Sequence, residues 1–261
     1  MAESELSITY GDLLAEVAAY VGYGVDDAAW TAAQLAELDR YVQAGVRRFY
    51  YPPAAQGAEA GYQWSFLQPV TSLSTAADDA AQDLPDGCGR VLGGFHFDET
   101  EHRRSIVQVS EDRYQSLLSR SEDTGPPQVV RIRHKAQVEG EGQKLEAAWW
   151  PIPDATYVLT YRYEAYSGKL DGTNVYPLGG MRHAELLIAS CLAVAEQRAN
   201  DEKGIHSEDF GRMLVSAIQQ DRRLGPRHFG AMGDHSSDCA IVPRHGDTGI
   251  GYDITYKGDT Y

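Results

Sequence analysis

Hydrophobic residues recur at helical spacing near both ends of the chain. Thr9 and Asp12 form a capping box in which Asp replaces the usual Glu, and Gly22 ends the helix that follows. Thr31 and Gln34 form a second capping box before a longer apolar stripe, which Pro52-Pro53 ends. We therefore expect a helical hairpin over residues 1–60. Its second helix should bury the positions Leu35, Leu38, Val42, Val46 and Phe49.

The period changes to two between about residues 61 and 166, where Pro-Gly and Gly-Pro turns separate short apolar runs. Ser110 predicts the cap of one short helix within this region, over about 111–119. The candidate strands are 62–68, 89–97, 104–109, 128–134, 144–150 and 155–163.

The helical period returns in the last third of the chain. A long apolar helix is expected within 178–202, stopped by Gly204, and another begins at Ser207 and ends before Gly225-Pro226. The pattern predicts an α+β protein in which N- and C-terminal helices form one helical body around an intervening antiparallel β region. The expected divisions are a helical hairpin (1–60), a β-rich region (61–176), a helical pair (177–225) and an extended C-terminal arm (226–261).

Three aromatic residues alternate directly after the Pro-Pro break, where Tyr62, Trp64 and Phe66 share one face of an extended segment. Each such side chain can bury about 150–250 Å². We interpret them as a structural aromatic anchor that joins the β layer to the helices. The competing interpretation is a platform on which sugars or bases stack.

The arm contains little core-forming material but alternates again near its end, at Ile250, Tyr252, Ile254 and Tyr256. A short strand with nothing local to pair with is a candidate for docking onto a partner. Addition to a sheet of the same chain is an equal alternative, and the sequence leaves both open.

The composition excludes some classes of protein. The net charge is −15, with five lysines against eighteen arginines, which argues against general nucleic-acid binding. Cys88, Cys191 and Cys239 are odd in number and far apart, so we expect free thiols and a reducing compartment. No apolar run approaches the roughly 20 residues that span a bilayer, and the N-terminus lacks a secretory pattern, so no membrane partner is expected.

Candidate chemistry is sparse. The arm holds metal-competent side chains, among them His235, Asp238 and His245, but their spacing matches no closed zinc site. The glycine-rich stretch at 87–94 lies between a proline turn and a strand, whereas a phosphate loop opens a helix. No serine-hydrolase elbow is present. We therefore predict no catalytic, cofactor-binding or metal-binding residues, no cofactor, and no enzymatic activity.

The order of these segments resembles the head-to-tail adaptor proteins of tailed bacteriophages. The resemblance covers about residues 8–234 and rests on an ordered set of segments: "RRFYYPP" (47–53), "YQWSFLQP" (62–69), "LPDGCGRVLGGFHFDE" (84–99), "SEDRYQSLL" (110–118), "TGPPQVVRIR" (124–133), "AAWWPIPDATYVLTYRYEAYSGKL" (147–170), "HAELLIASCLAVAEQRAND" (183–201) and "RRLGPRHFGAMGD" (222–234).

The resemblance implies a structural virion protein, made in the host cytoplasm, that forms a homo-oligomeric ring, usually a dodecamer, below the portal protein. Such a ring extends the channel for double-stranded DNA without sequence-specific binding, docks the next neck or tail protein, and helps to retain the packaged genome. Another neck ring, such as a tail-tube terminator, fits the same pattern. The alternatives from other classes are a β-rich glycan-binding module that uses Trp64, Trp149 or Trp150, and a metal-dependent hydrolase that uses His235.

Overall fold

The α+β class predicted from the sequence is confirmed. The computed structural model describes residues 4, 6–53, 61–98, 101, 103–120, 123–137, 139, 142–200, 204–224, 255–256 and 259–260. The helices are α1 (Tyr10–Val21), α2 (Ala32–Tyr50), α3 (Glu111–Leu118), α4 (Ala184–Asn200) and α5 (Ile205–Leu224). The strands are β1 (Val70–Ser74), β2 (Ala81–Asp83), β3 (Cys88–Phe97), β4 (Val107–Gln108), β5 (Val129–His134), β6 (Leu145–Trp150), β7 (Val158–Ala165), β8 (Thr255–Tyr256) and β9 (Asp259–Thr260).

The chain divides into two compact units. The helical unit comprises Met1–Pro69, Gly87–Arg90 and Tyr163–Arg227. The β unit comprises Val70–Asp86, Val91–Arg162 and His228–Tyr261. The sequence-based division at residues 60, 176 and 225 uses other borders and stays a prediction.

The first two helices begin and end where the sequence places them. The backbone N–H of Thr9 donates to the carboxylate of Asp12 at 2.8 Å, and the Thr9 hydroxyl accepts from the Asp12 N–H, so the predicted capping box is formed. Gly22 closes α1 with φ at 90°, a left-handed conformation that glycine adopts without steric cost. Thr31 and Gln34 cap α2 in the same reciprocal way.

The core of the helical unit forms around α4, which contacts α1, α2 and α5. Leu38, Val42, Val46 and Phe49 on α2 are buried, as predicted. Leu35 is 44% exposed, so the buried stripe of α2 starts one turn later than the sequence pattern indicated. Cys191 lies fully buried in this core as a free thiol, which confirms the expectation for that residue.

Two sheets account for most of the strands. The first has the order β1-β7-β3, with β1 and β7 antiparallel. The second has the order β2-β6-β5-β4 and is mixed, because β4 pairs in parallel with β5. The expectation of a purely antiparallel region is therefore wrong at this pair. Since α3 lies between β4 and β5 in the chain, it provides the crossover that a parallel pair requires.

Strand prediction succeeded where the apolar run was flanked by clear turns. The runs 89–97, 128–134 and 144–150 correspond closely to β3, β5 and β6. The predicted strand 62–68 is wrong, because this segment is a loop that ends in a 3₁₀ turn over Ser65–Leu67. Strands β1 and β2, which follow it, were not predicted, since the polar residues of 70–83 give only a faint alternation.

A buried ion network holds α3 against the second sheet. Arg131 on β5 is only 4% exposed, and its guanidinium lies 4.5 Å from the ring centre of Tyr114 on α3. Its Nη1 is 2.7 Å from a carboxylate oxygen of Glu111, and its Nη2 is 3.4 Å from Glu146. Arg133 also donates to Glu146, so this buried carboxylate has two cationic partners.

The spacing between α2 and α4 yields the first prediction. A Cβ atom added at Gly45 would lie 2.6 Å from both the Cα and the Sγ of Cys191, so Gly45→Ala must push the two helices apart. We expect a loss of about 1–3 kcal/mol in the free energy of unfolding, the usual cost of overpacking. Urea unfolding followed by circular dichroism would measure the loss.

Gly211→Ala is the matched control. Gly211 also lies inside a helix, but a Cβ atom added there meets nothing within 4 Å. Because alanine favours the helix by up to about 1 kcal/mol over glycine, this variant should be neutral or more stable. An equal change in the free energy of unfolding of Gly45→Ala and Gly211→Ala would contradict the proposed role of the close approach of α2 and α4.

Candidate docking surface

An aromatic cluster in the helical unit contains the predicted anchor residues. Trp64 is fully buried, and its indole N–H donates to the carbonyl oxygen of Phe49 at 2.9 Å. The Phe66 ring stacks on Trp64 with 5.4 Å between ring centres, and Tyr62 meets Trp64 edge-on at 5.1 Å. Tyr62 and Phe66 therefore both contact the Trp64 ring, although the backbone that carries the three residues is a loop. Their anchoring role remains a proposal, limited to packing within the helical unit.

The loop that carries the cluster is fixed to α5 by one carboxylate. Asp221, only 6% exposed, accepts hydrogen bonds from the hydroxyl of Tyr62 at 2.7 Å, from the backbone N–H of Ser65 at 3.0 Å, and from the Ser65 hydroxyl. Burial and the neighbouring Asp221 carboxylate raise the pKa of the Tyr62 phenol well above its usual value. The phenol therefore stays protonated and remains a donor.

His183 belongs to the same cluster. Its ring centre lies 5.2 Å from Trp64, 5.3 Å from Phe66 and 5.7 Å from Phe49. Burial lowers the pKa of His183 below its usual value, although Asp221 acts in the opposite direction. A neutral imidazole in this position contributes to aromatic packing.

An exposed apolar segment lies in the chain directly before α4. Tyr176, Leu178 and Met181 are 46%, 40% and 49% exposed. We call residues 175–181 the apolar segment. Large apolar side chains grouped on a surface mark sites of interaction with other proteins.

Hydrogen bonds hold the apolar segment against the helices. The backbone N–H of Leu178 donates to the hydroxyl of Tyr50 at 2.7 Å, and the N–H of Tyr10 donates to the carbonyl of Val175 at 2.8 Å. Gly179 adopts a left-handed φ of 108°, and a Cβ atom there would lie 3.2 Å from the Phe66 ring. The aromatic cluster therefore supports the segment from inside.

Sequence reasoning missed the apolar segment. It expected the long helix within 178–202, but α4 starts at Ala184, after a 3₁₀ turn over Met181–His183. The signal that was available is Gly179-Gly180, a pair that disfavours a helix interior and permits left-handed backbone.

Most of the predicted docking residues of the arm lie outside the described residues. These are Ile250, Tyr252 and Ile254, together with the metal-competent His235, Asp238 and His245. Tyr256 lies in β8, which pairs with β9 in an antiparallel hairpin. The expectation that this strand has nothing local to pair with is therefore wrong at Thr255–Tyr256. The docking role of the four residues stays a prediction.

The described residues provide few alternatives to a docking role. Trp64 and Trp149, two of the three tryptophans invoked for a glycan platform, are fully buried and offer no exposed ring face. Within the described ranges, no group of three or more His, Cys, Asp and Glu side chains is arranged to hold a metal ion. None of the described helices combines the length and apolarity needed to traverse a bilayer.

An exposed apolar segment held on a packed core is one feature of proteins that assemble with other proteins. A comparison with protein families matches the SU10 adaptor protein family over residues 8–230, which is most of the chain. The chain therefore belongs to this family, and the resemblance to phage adaptors is confirmed. Its role is that of a structural phage adaptor and virion component. No curated protein matches the chain.

The buried indole yields the second prediction. Trp64→Ala removes a fully buried ring and its hydrogen bond to Phe49, so we expect a loss of about 3–5 kcal/mol in the free energy of unfolding. Trp30→Ala, which removes a half-buried indole bonded to the Gly24 carbonyl, should cost clearly less. Urea unfolding of both variants would test this order, and a smaller loss for Trp64→Ala would show that the cluster is not an anchor.

The lowered pKa of His183 yields the third prediction. Because the pKa of His183 is lower in the folded chain than in the unfolded chain, the unfolded chain binds more protons at this histidine below about pH 6.5. This difference makes stability fall as the pH drops through that range. His183→Gln should therefore lose less stability than the wild type between about pH 7.5 and about pH 5.5.

The measurement is urea unfolding at a series of pH values in that window. The matched control is His134→Gln, which makes the same change at an exposed histidine on β5 and leaves the aromatic cluster intact. An unchanged slope in His183→Gln would show that His183 does not contribute to the pH dependence.

Proposed function

We propose that the chain is a head-to-tail adaptor that assembles as a dodecameric ring below the portal protein. The ring extends the channel through which double-stranded DNA passes, docks the next neck or tail protein, and helps to retain the genome. The observation that carries this proposal is the family match over residues 8–230. A role in assembly requires no catalytic residue, cofactor or metal, and we propose that the chain is not an enzyme.

The apolar segment supports an assembly role. Three large side chains within six residues, Tyr176, Leu178 and Met181, are each at least 40% exposed. The segment is hydrogen-bonded to α1 and α2, so little conformational entropy would be lost when a partner covers it. We assign it to a contact with a neighbouring virion protein.

The net charge of −15 fits a channel through which DNA moves without binding. A wall that repels phosphate allows sliding, whereas a wall rich in Lys and Arg would release counterions and bind the duplex. We propose that acidic side chains line the channel. A map of the virion neck that shows a basic inner wall, with the carboxylates outside, would contradict this.

We further propose that residues 235–261 of the arm dock onto the portal protein or a neighbouring subunit. Docking would pair its strand with the partner and bury Ile250, Tyr252, Ile254 and Tyr256. The β8–β9 hairpin supports a β-forming tendency in this part of the chain.

The fourth prediction concerns attachment. A chain that lacks residues 235–261 should fail to attach to portal-bearing heads, as measured by co-sedimentation of heads with the added chain. Ile250→Asp with Tyr252→Asp should weaken attachment in the full-length chain, because both changes oppose burial. Both variants should keep the wild-type circular dichroism spectrum. Unchanged attachment of the truncated chain would refute the docking role of the arm.

The position in the virion has its own test. Electron microscopy of purified virions that carry a tagged copy of this chain should show the label at the neck, in a ring next to the portal vertex. A label distributed over the capsid, or virions that contain no tagged chain, would refute the proposed function as a whole.

A further inference from the structure

A cleft in the helical unit is not used by the assignments above. It has a volume of about 620 Å³ and lies between the C-terminal half of α2, the loop 166–169 and the end of α4. Its walls carry four basic side chains, one carboxylate and three tyrosines. These are Arg40, Arg47, Lys169, Arg198, Asp39, Tyr50, Tyr51 and Tyr166.

The single carboxylate of the cleft is already paired. Asp39 lies 2.8 Å from the ammonium of Lys169 and also accepts from Tyr10 and Gln43. Burial alone would raise the pKa of Asp39, but the hydrogen bonds from Lys169, Gln43 and Tyr10 hold it below its usual value. The Asp39–Lys169 pair is therefore neutral as a whole, and the remaining charge of the cleft is positive.

The arginines provide that charge. Among the described residues, Arg47 and Arg198 have no carboxylate within ion-pair distance. Arg198 donates to the backbone carbonyl of Arg40 at 3.5 Å, and its guanidinium lies over the Tyr41 ring, 5.8 Å from the ring centre. Next to them Tyr51 and Tyr166 meet edge-on at 5.8 Å and are 44% and 53% exposed. A locally basic and aromatic cleft in a chain of net charge −15 fits an acidic ligand that also carries an apolar group.

The corner between α1 and α2 carries both acidic and apolar side chains. Asp26 and Asp27 are adjacent and exposed, and Val25 beside them is 67% exposed. The corner has a fixed conformation, since the Trp30 indole donates to the Gly24 carbonyl at 3.0 Å and Asp26 caps the Ala28 N–H at 3.2 Å. Little entropy would therefore be lost on docking.

We propose that the cleft of one copy binds the acidic corner, Val25–Asp27, of a second copy. The corner precedes the first residue of α2, Ala32, whereas Arg47 lies about 22 Å further along that helix at 1.5 Å per residue. The corner and the Arg47 side of the cleft therefore lie far apart along one helix, so within one chain the corner does not reach Arg47. A contact between two different surfaces is heterologous, and repetition of it closes into a ring when the rotation permits.

This inference names the contact that the proposed ring would use, and it rests on that proposed function. Nucleic acid is the other anionic ligand that the arginines would accept. The cleft favours a protein segment, because its exposed tyrosines offer apolar contact to Val25 and its few cations cannot follow a phosphate backbone.

The fifth prediction uses two charge reversals in the full-length chain. Arg47→Glu exchanges one cation of the cleft for a carboxylate, and Asp27→Lys cancels the charge of the corner, so each variant loses most of the electrostatic attraction between the cleft and the corner. Sedimentation velocity at low salt, over a wide range of protein concentration, should show self-association of the wild type and a monomer for each variant. An equimolar mixture of the two variants should associate again, because the reversed cleft then meets the reversed corner.

Two controls carry the same changes in charge elsewhere on the helical unit. Arg212→Glu on α5 and Glu16→Lys on α1 alter exposed side chains, and each should associate like the wild type. Circular dichroism and thermal unfolding would establish that all four variants fold.

Each other outcome overturns the proposal. A wild type that stays monomeric at every concentration shows that the contact does not form. A mixture that stays monomeric shows that the corner is not the occupant of the cleft. Binding of a short DNA duplex that Arg47→Glu abolishes, with self-association unchanged, assigns the cleft to nucleic acid. In all three cases a tagged chain seen at the virion neck would leave the adaptor function intact, so the two failures can be told apart.

Discussion

The close approach of α2 and α4 at Gly45 is the constraint on which the helical unit depends. The Cys191 backbone occupies the space where a side chain at position 45 would lie. Ser190 donates to the Gly45 carbonyl at 2.8 Å, so the hydroxyl that faces the contact is satisfied by the backbone of the other helix. Since α4 also contacts α1 and α5, the distance between α2 and α4 sets the positions of four helices.

The distance between α2 and α4 also affects the geometry of the exposed apolar segment. Phe49 follows Gly45 by four residues and so lies one turn further along the same face of α2. Its carbonyl accepts from Trp64, and its ring contacts Phe66 and His183. Because Phe66 in turn limits the space at Gly179, the geometry of the apolar segment follows from the packing of α2 through one layer of aromatic rings.

The sequence predicts the helices well because their boundaries depend on local chemistry. The two reciprocal caps and the glycine after α1 involve residues within a few positions of one another, and all were predicted. The 62–68 segment shows where local reasoning fails. Its alternating aromatic residues have the pattern of a strand. In the structure, however, Trp64 donates to Phe49 and Tyr62 donates to Asp221, and the contact with the distant Asp221 holds the segment as a loop. The parallel pairing of β4 with β5 also depends on a crossover that alternation does not reveal.

The candidate surfaces could be predicted less well, and the cleft least of all, since it is assembled from distant parts of the chain. The cleft combines α2 with residues more than a hundred positions away, and its basic character is hidden in a total charge of −15.

Net charge describes long-range behaviour, whereas docking depends on charges in contact. Chains of like net charge repel one another beyond contact, and at about 0.1 M salt this repulsion is screened over about 10 Å. Within that distance the basic cleft would attract the proposed acidic corner, while the net negative charge of the two chains opposes less complementary orientations. The negative charge of the whole chain would then help to specify the contact, because it leaves few orientations in which two copies attract.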